Sequence, residues 1–154
     1  MIGTIAKSMR DSSAAGLMLL SLAACSTAAQ AASYTMSRDA GCGCCLEWAE
    51  HASAGLNAQV TAEDADMAMV KDLHGLPGNL RSCHTMIVEG YVIEGHVPAE
   101  AIQKLLREKP DNVIGLAVPG MPVGSPGMEH GDRKQPYQVI AFGLKGQRVF
   151  ASYN

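Results

Sequence analysis

Aromatic side chains are scarce in this 154-residue chain, at 5%, and charged residues make up only 18%. The formal charge is −3 and neither half carries a basic block, so the chain lacks the electrostatic footprint of a nucleic-acid binder. The apolar run Ala14–Ala24, 11 residues long, is too short to span a membrane. No Ser-His-Asp order, phosphate-cradling glycine loop or paired-carboxylate motif stands out, and Gly41-Cys42-Gly43 is too short for a nucleotide loop. These absences leave no hydrolytic or nucleotide-using site in view; a binding protein is the preferred reading, with redox or thiol-disulfide activity left open. With 47% apolar residues, the length suffices for one globular domain with a real core and no need of disulfide staples.

The first thirty residues differ from the rest. Lys7 and Arg10 make a positive start, Ala14–Ala24 an apolar stretch, and Ala29-Gln30-Ala31 an A-x-A cleavage site. Residues 1–31 therefore read as a secretory signal peptide, which implies export to the periplasm. Leu22-Ala23-Ala24-Cys25 offers a second reading, a lipoprotein signal over 1–24 with Cys25 lipidated. Only that version would tether the domain to a membrane. The mature domain, 32–154, keeps four cysteines, five histidines and six methionines, with 10 basic and 14 acidic residues.

Along that domain, Ser33–Ser37 is a short candidate strand, followed at once by the turn Gly41-Cys42-Gly43-Cys44-Cys45. From Cys45 the pattern is helical, with Leu46, Ala49 and Ala52 on one face and Trp48 near them, and Gly55 as the C-cap. A second strand is expected over Leu56–Thr61 and a second helix over Asp64–Leu73, with Ala65, Met69 and Leu73 along one side. Thr85–Val88 and Tyr91–Glu94 read as a hairpin about Glu89-Gly90. Pro98 opens a third helix with Ala101, Ile102, Leu105 and Leu106 inward. Residues 115–136 read as a long Gly/Pro-rich loop, and Tyr137–Phe142 with Arg148–Ser152 as a closing hairpin. The order strand, cysteine turn, helix, strand, helix, hairpin, helix predicts an α/β fold of thioredoxin-like layout in one domain. That layout packs the hairpin entry, Ser82-Cys83-His84-Thr85, against the cysteine turn, although no proline stands where thioredoxins place a cis-proline.

Three thiols within four residues cannot all serve a structural disulfide framework, and adjacent Cys44 and Cys45 rarely bridge each other. Cys42 and Cys45 have the i, i+3 spacing of a redox pair, with Cys44 as an extra thiol. Helix N-terminal amides favour thiolate at Cys44 and Cys45, and thiolates are soft ligands that select Cu(I) or Zn(II). Cys83, with His84 beside it, would complete a coordination set. Structural zinc usually takes paired C-x-x-C knuckles, and only one such pair exists here. Two disulfides remain open on the residues alone, a bond from Cys42 or Cys45 to Cys83 being the first to look for. Met121 and Met128, on the Gly/Pro loop, are candidate thioether ligands, whereas Met67, Met69 and Met86 read as core. His96 reads as a hydrogen-bonding support for a ligand. His51 reads as a surface residue, and His74 and His130 as loop residues without a partner.

The run Cys42-Gly43-Cys44-Cys45-x-x-Trp48, then Ser82-Cys83-His84-Thr85, Gly90-Tyr91, Ile93–Ala99 and Gly115–Met128 resembles one family over nearly all of 34–150. It is the domain-of-unknown-function 411 family, whose known members are CopG-type periplasmic copper-resistance proteins. The resemblance implies a thioredoxin-like fold binding copper, as Cu(I) or a small copper-thiolate cluster, through Cys42, Cys44, Cys45 and Cys83. His84, Met121 and Met128 are further candidates. It also implies a role in copper tolerance, with copper-efflux or periplasmic copper-carrier proteins as partners. The chain departs from the family in Tyr34–Gly41, where a tyrosine-basic-small-Pro approach and a longer first strand are expected. On spacing alone zinc stays open as the metal, and a thiol-disulfide oxidoreductase using Cys42 and Cys45 as the function.

Overall fold

The structure, a computed structural model, describes residues 31–154. Apart from Ala31, both leader readings, Cys25 included, lie outside the described residues. Strand β1 (Ala32–Arg38) leads through the cysteine turn to helix α1 (Gly43–Leu56), and β2 (Ala58–Asp64) returns parallel to β1. Helix α2 (Met67–Leu73) and a short 3-10 turn (Gly78–Leu80) lead to the antiparallel pair β3 (His84–Val88) and β4 (Tyr91–Glu94). Helix α3 (Ala99–Glu108), then β5 (Val113–Ala117), β6 (Tyr137–Gly143) and β7 (Gly146–Tyr153) complete the chain. The seven strands form one mixed sheet in the order β2-β1-β3-β4-β5-β6-β7. The fold is thus a mixed α/β single domain.

Helix α1 forms on the stripe Cys45, Trp48, Ala49 and Ala52, whose 3- and 4-residue spacing puts all four on the buried side. With α3 it covers one sheet face, closing a core of Met36, Trp48, Met86, Ile93, Ile102, Leu105 and Leu116. Leu76, Leu80, Val92, Ala117 and Phe142 form a smaller cluster. β1 and β3 lie side by side as the second and third strands of the sheet, with Arg38 opposite His84. That pairing carries the hairpin entry to the foot of α1.

Several boundaries fall elsewhere than the sequence pattern places them. Helix α1 begins at Gly43 and runs to Leu56, ending on Asn57 in the left-handed region at φ 50°. Gly55 is instead a packing glycine, because a Cβ there would overlap the Ala99 Cβ at the start of α3. Leu46, expected on the inward face, is 45% exposed beside the buried stripe. Strand β2 extends to Asp64 since every residue pairs with β1, and α2 starts only after Asp66, whose Oδ1 accepts from the Ala68 and Met69 amides. Met69 (66%) and Leu73 (79%) face outward from that short helix, while Met67 and Met86 are core as expected. The stretch 113–117, assigned in part to the Gly/Pro loop, is strand β5. Gly115 disguised it, yet a Cβ there would overlap the Val92 carbonyl and crowd the Phe142 ring.

Candidate metal centre

Gly41, at φ 78°, and the Cys42 amide donating to the Asp39 carbonyl at 3.2 Å bend the chain sharply after β1. Arg38 braces the bend, donating to the Cys42 carbonyl at 3.0 Å while paired with Asp64 at 2.9 Å. Cys42 is the N-cap of α1, with no side-chain cap bond, so Cys44 and Cys45 stand in its first turn. Cys83 arrives from the segment just before β3. The sulfurs of Cys42, Cys44, Cys45 and Cys83 all lie within 4.8 Å of one another. The four cysteines singled out in the sequence thus converge in space.

Cys42 and Cys45 are joined as a disulfide, with their Cα atoms 5.5 Å apart, while Cys44 and Cys83 are thiols. The bond expected first, from Cys42 or Cys45 to Cys83, is therefore not the one formed. Both ends of the observed bond lie in one helical turn, whereas Cys83 is held across the cluster by the sheet. Nor are there two disulfides among the described residues. Cys44 Sγ sits 3.5 Å from Cys42 Sγ.

The corner around Cys83 is rich in imidazole. His84 Nδ1 lies 3.4 Å from Cys83 Sγ and His96 Nε2 lies 3.2 Å from it, and these three residues form a second convergent donor group. His96 Nδ1 is 2.8 Å from the Pro126 carbonyl, which can only accept, so Nδ1 carries the hydrogen and Nε2 presents a bare lone pair to Cys83. Sequence reasoning made His96 a support; the structure places it in direct contact with Cys83. His84 is fully buried between Trp48 (ring centroids 4.4 Å apart) and His96 (5.0 Å, edge-on), and its Nε2 has no hydrogen-bond partner among the described residues. Trp48 is core, as expected, and its Nε1 donates to the Val97 carbonyl at 2.9 Å.

Burial first, then His96 and Lys71, holds the His84 imidazole well below the ordinary histidine range. Burial likewise lowers His96, against the pull of its bond to Pro126. Both rings are therefore neutral at pH 7, the state in which imidazole can ligate a metal. Burial, then the charge of Cys44, pushes the Cys83 thiol up to about 11, so a cation binding there must displace its proton.

The Gly/Pro segment after β5 closes over the first turn of α1. Gly127, at φ 79°, packs so tightly that a Cβ would come within 2.7 Å of the Cys44 carbonyl and the Trp48 amide. Met128 follows it directly, while Met121 is 54% exposed. Of the remaining histidines, His51 is half-buried and accepts from the Ala99 amide at 3.2 Å. His130 is exposed, His74 is half-buried, and neither belongs to a convergent donor group among the described residues.

Once the Cys42–Cys45 bond is open the donor set suits a soft cation: four sulfurs and two neutral imidazoles, one of which keeps a buried ring nitrogen without a partner among the described residues. The DUF411 family model, a protein family of unknown function, matches residues 80–128, which hold Cys83, His84 and His96. Two solved structures, copper resistance protein CopG in form 1 and form 2, are each 45% identical to this chain with TM-scores of 0.74. They align over 80% and 81% of this chain and over 98% and 100% of their own lengths. The chain belongs to the DUF411 family, that of copper resistance protein CopG. No curated protein sequence matches it.

Proposed function

We propose that this protein binds Cu(I) through Cys42, Cys44, Cys45 and Cys83 and sequesters or relays it in copper tolerance, on a thioredoxin-like frame. The observation that carries the reading is the convergence of four sulfurs within 4.8 Å, with the imidazoles of His84 and His96 beside Cys83, in a relative of copper resistance proteins. Thiolate sulfur is a soft donor and Cu(I) a soft cation, and clustered thiolates can each serve more than one ion. His84 and His96 are the further donors beside Cys83, and Met121 and Met128 on the loop are candidate thioether donors. The frame is supported by the order β2-β1-β3-β4, with β1 and β2 parallel and β3 antiparallel to both neighbours. An external dithiol that opens the Cys42–Cys45 bond, itself becoming a disulfide, delivers two electrons and two protons and raises the thiols among the described residues from two to four, so the reduced protein is the copper-binding form.

Export to the periplasm, with or without a lipid on Cys25, follows from the leader and belongs to the same proposal. So do copper-efflux or copper-carrier proteins as partners. Among the described residues no helix is long and apolar enough to cross a membrane. A thiol-disulfide oxidoreductase would use Cys42 and Cys45 alone and leave Cys44, Cys83 and both imidazoles without a task.

The deciding experiment is anaerobic titration of reduced protein with Cu(I) against a chromophoric chelator, with zinc in parallel. Tight Cu(I) binding that is lost in C44S and C83S is expected. Failure to take Cu(I) from the chelator, or equal binding by both variants, would sink the reading. Preference for zinc would replace the metal, and sustained insulin reduction by metal-free protein would favour the oxidoreductase.

A further inference from the structure

Beneath the Cys83 corner lies a charged group that ligand chemistry alone does not explain. Glu94, the last residue of β4, is fully buried, and Lys71 of α2 is 5% exposed. Their Nζ–Oε1 distance is 2.6 Å. The same Oε1 also accepts the Ser82 amide, while Oε2 accepts the Thr85 hydroxyl at 2.6 Å. Lys71 adds a bond to Thr85 Oγ1 at 3.1 Å. Ser82 and Thr85 are the two residues flanking Cys83-His84, so one carboxylate grips the chain on either side of that pair.

A buried ion pair is a poor way to gain stability, because desolvation offsets most of its Coulomb energy, and well-packed apolar residues often do as well. What such a pair does supply is a fixed geometry. Here the geometry extends to the second imidazole. Gly95 turns the chain at φ 69°, donates its amide to the His84 carbonyl at 2.9 Å, and is pressed so close to Ser82 that a Cβ would come within 2.7 Å of it. His96 follows. Ser82 thus borders Cys83 on one side and, across Gly95, the turn that carries His96.

We infer that Glu94, with Lys71 as its counter-ion, is a positioning residue that holds Cys83, His84 and His96 in register with the cysteine turn. The inference rests on the Cu(I)-binding reading for its purpose, but its geometry can be tested without copper. In oxidised, metal-free protein only Cys44 and Cys83 are thiols among the described residues, so Cys44 serves as an internal reference. Alkylation by iodoacetamide, followed peptide by peptide in the mass spectrometer, reads the ratio of Cys83 to Cys44 rates. E94Q and T85V should raise that ratio at least tenfold, and T85S, which keeps the hydroxyl, should stay within twofold of the parent. Cu(I) affinity of reduced E94Q and T85V should fall roughly 10- to 100-fold, the range usual for residues that orient ligands. If E94Q does not fold, T85V against T85S decides.

A ratio unchanged in T85V, even with a lower Tm, would overturn the inference. A raised ratio with undiminished Cu(I) affinity would overturn it too. If the parent binds no Cu(I), the copper reading fails while the alkylation ratio still decides on the positioning role.

Discussion

The candidate centre has two walls built in opposite ways. One wall, Cys42, Cys44 and Cys45, comes from four consecutive residues wound into the start of α1, and two of its sulfurs are bonded to each other. The other, Cys83 with His84 and His96, is assembled across the sheet and held by groups as remote as Lys71 and Pro126. The first needs only a helix to form. The second needs β1 beside β3, a buried ion pair beneath it, and a loop over it. Local chain geometry can thus supply clustered sulfur, whereas neutral, oriented imidazole requires the whole fold.

Trp48 is where the walls meet: it stands on the cysteine helix, packs on His84 and bonds to Val97. Trp48→Ala should have the largest effect on the fold, destabilising it by ~3–5 kcal/mol as a buried aromatic truncation. Urea unfolding would measure this. A loss below 1 kcal/mol would mean the walls are held independently.

Oxidation should separate them next. With Cys42–Cys45 bonded, the helix wall offers one thiol and the sheet wall keeps its full donor set. Oxidised protein should bind Cu(I) at least 100-fold more weakly than reduced, about 2.8 kcal/mol. The residual binding should vanish in C83S. Equal affinity in both redox states would show that the sheet wall alone makes the site.

Gly127→Ala comes third. Its left-handed φ and its contact with the Cys44 carbonyl leave no room for a methyl, so the loop must lift from α1. The expected cost is about 1–3 kcal/mol of strain. Freed of Pro126, His96 should show a changed ring signal by NMR. A parent-like His96 spectrum would show that the loop does not orient the ring.

The same contrast explains what the sequence alone could reveal. The cysteine turn, the stripe Cys45-Trp48-Ala49-Ala52 and the hairpin at Glu89-Gly90 are short-range patterns, and they were legible. Periodicity carries no information on which side of a short helix faces the sheet, so Met69 and Leu73 read as inward although they are exposed. Strand β5 was hidden because Gly115, needed for the close approach of Val92 and Phe142, looks like a loop residue. The role of His96 was hidden because its partners lie 13 and 30 residues away in sequence. The pairing of Cys42 with Cys45 was one of several bonds that spacing permits.

The smallest effect expected is the dependence of stability on acid that the two buried histidines of the sheet wall produce. Burial lowers the His84 and His96 pKa values below the ordinary 6.5. As pH falls, the unfolded chain therefore takes up those protons before the folded protein does. The contribution is complete above pH 6.5 and is lost progressively as pH falls through the folded values. At the other extreme Cys83 titrates near 11 rather than 9.0, so the folded protein holds that proton longer and loses stability between pH 9 and 11. Urea midpoints from pH 7.5 down to 4.5 should fall for the parent. In His84→Leu, which also removes the unbonded Nε2, the fall should be shallower. Parallel curves would mean that His84 gains a compensating partner on protonation, and that this wall is less rigid than its packing implies.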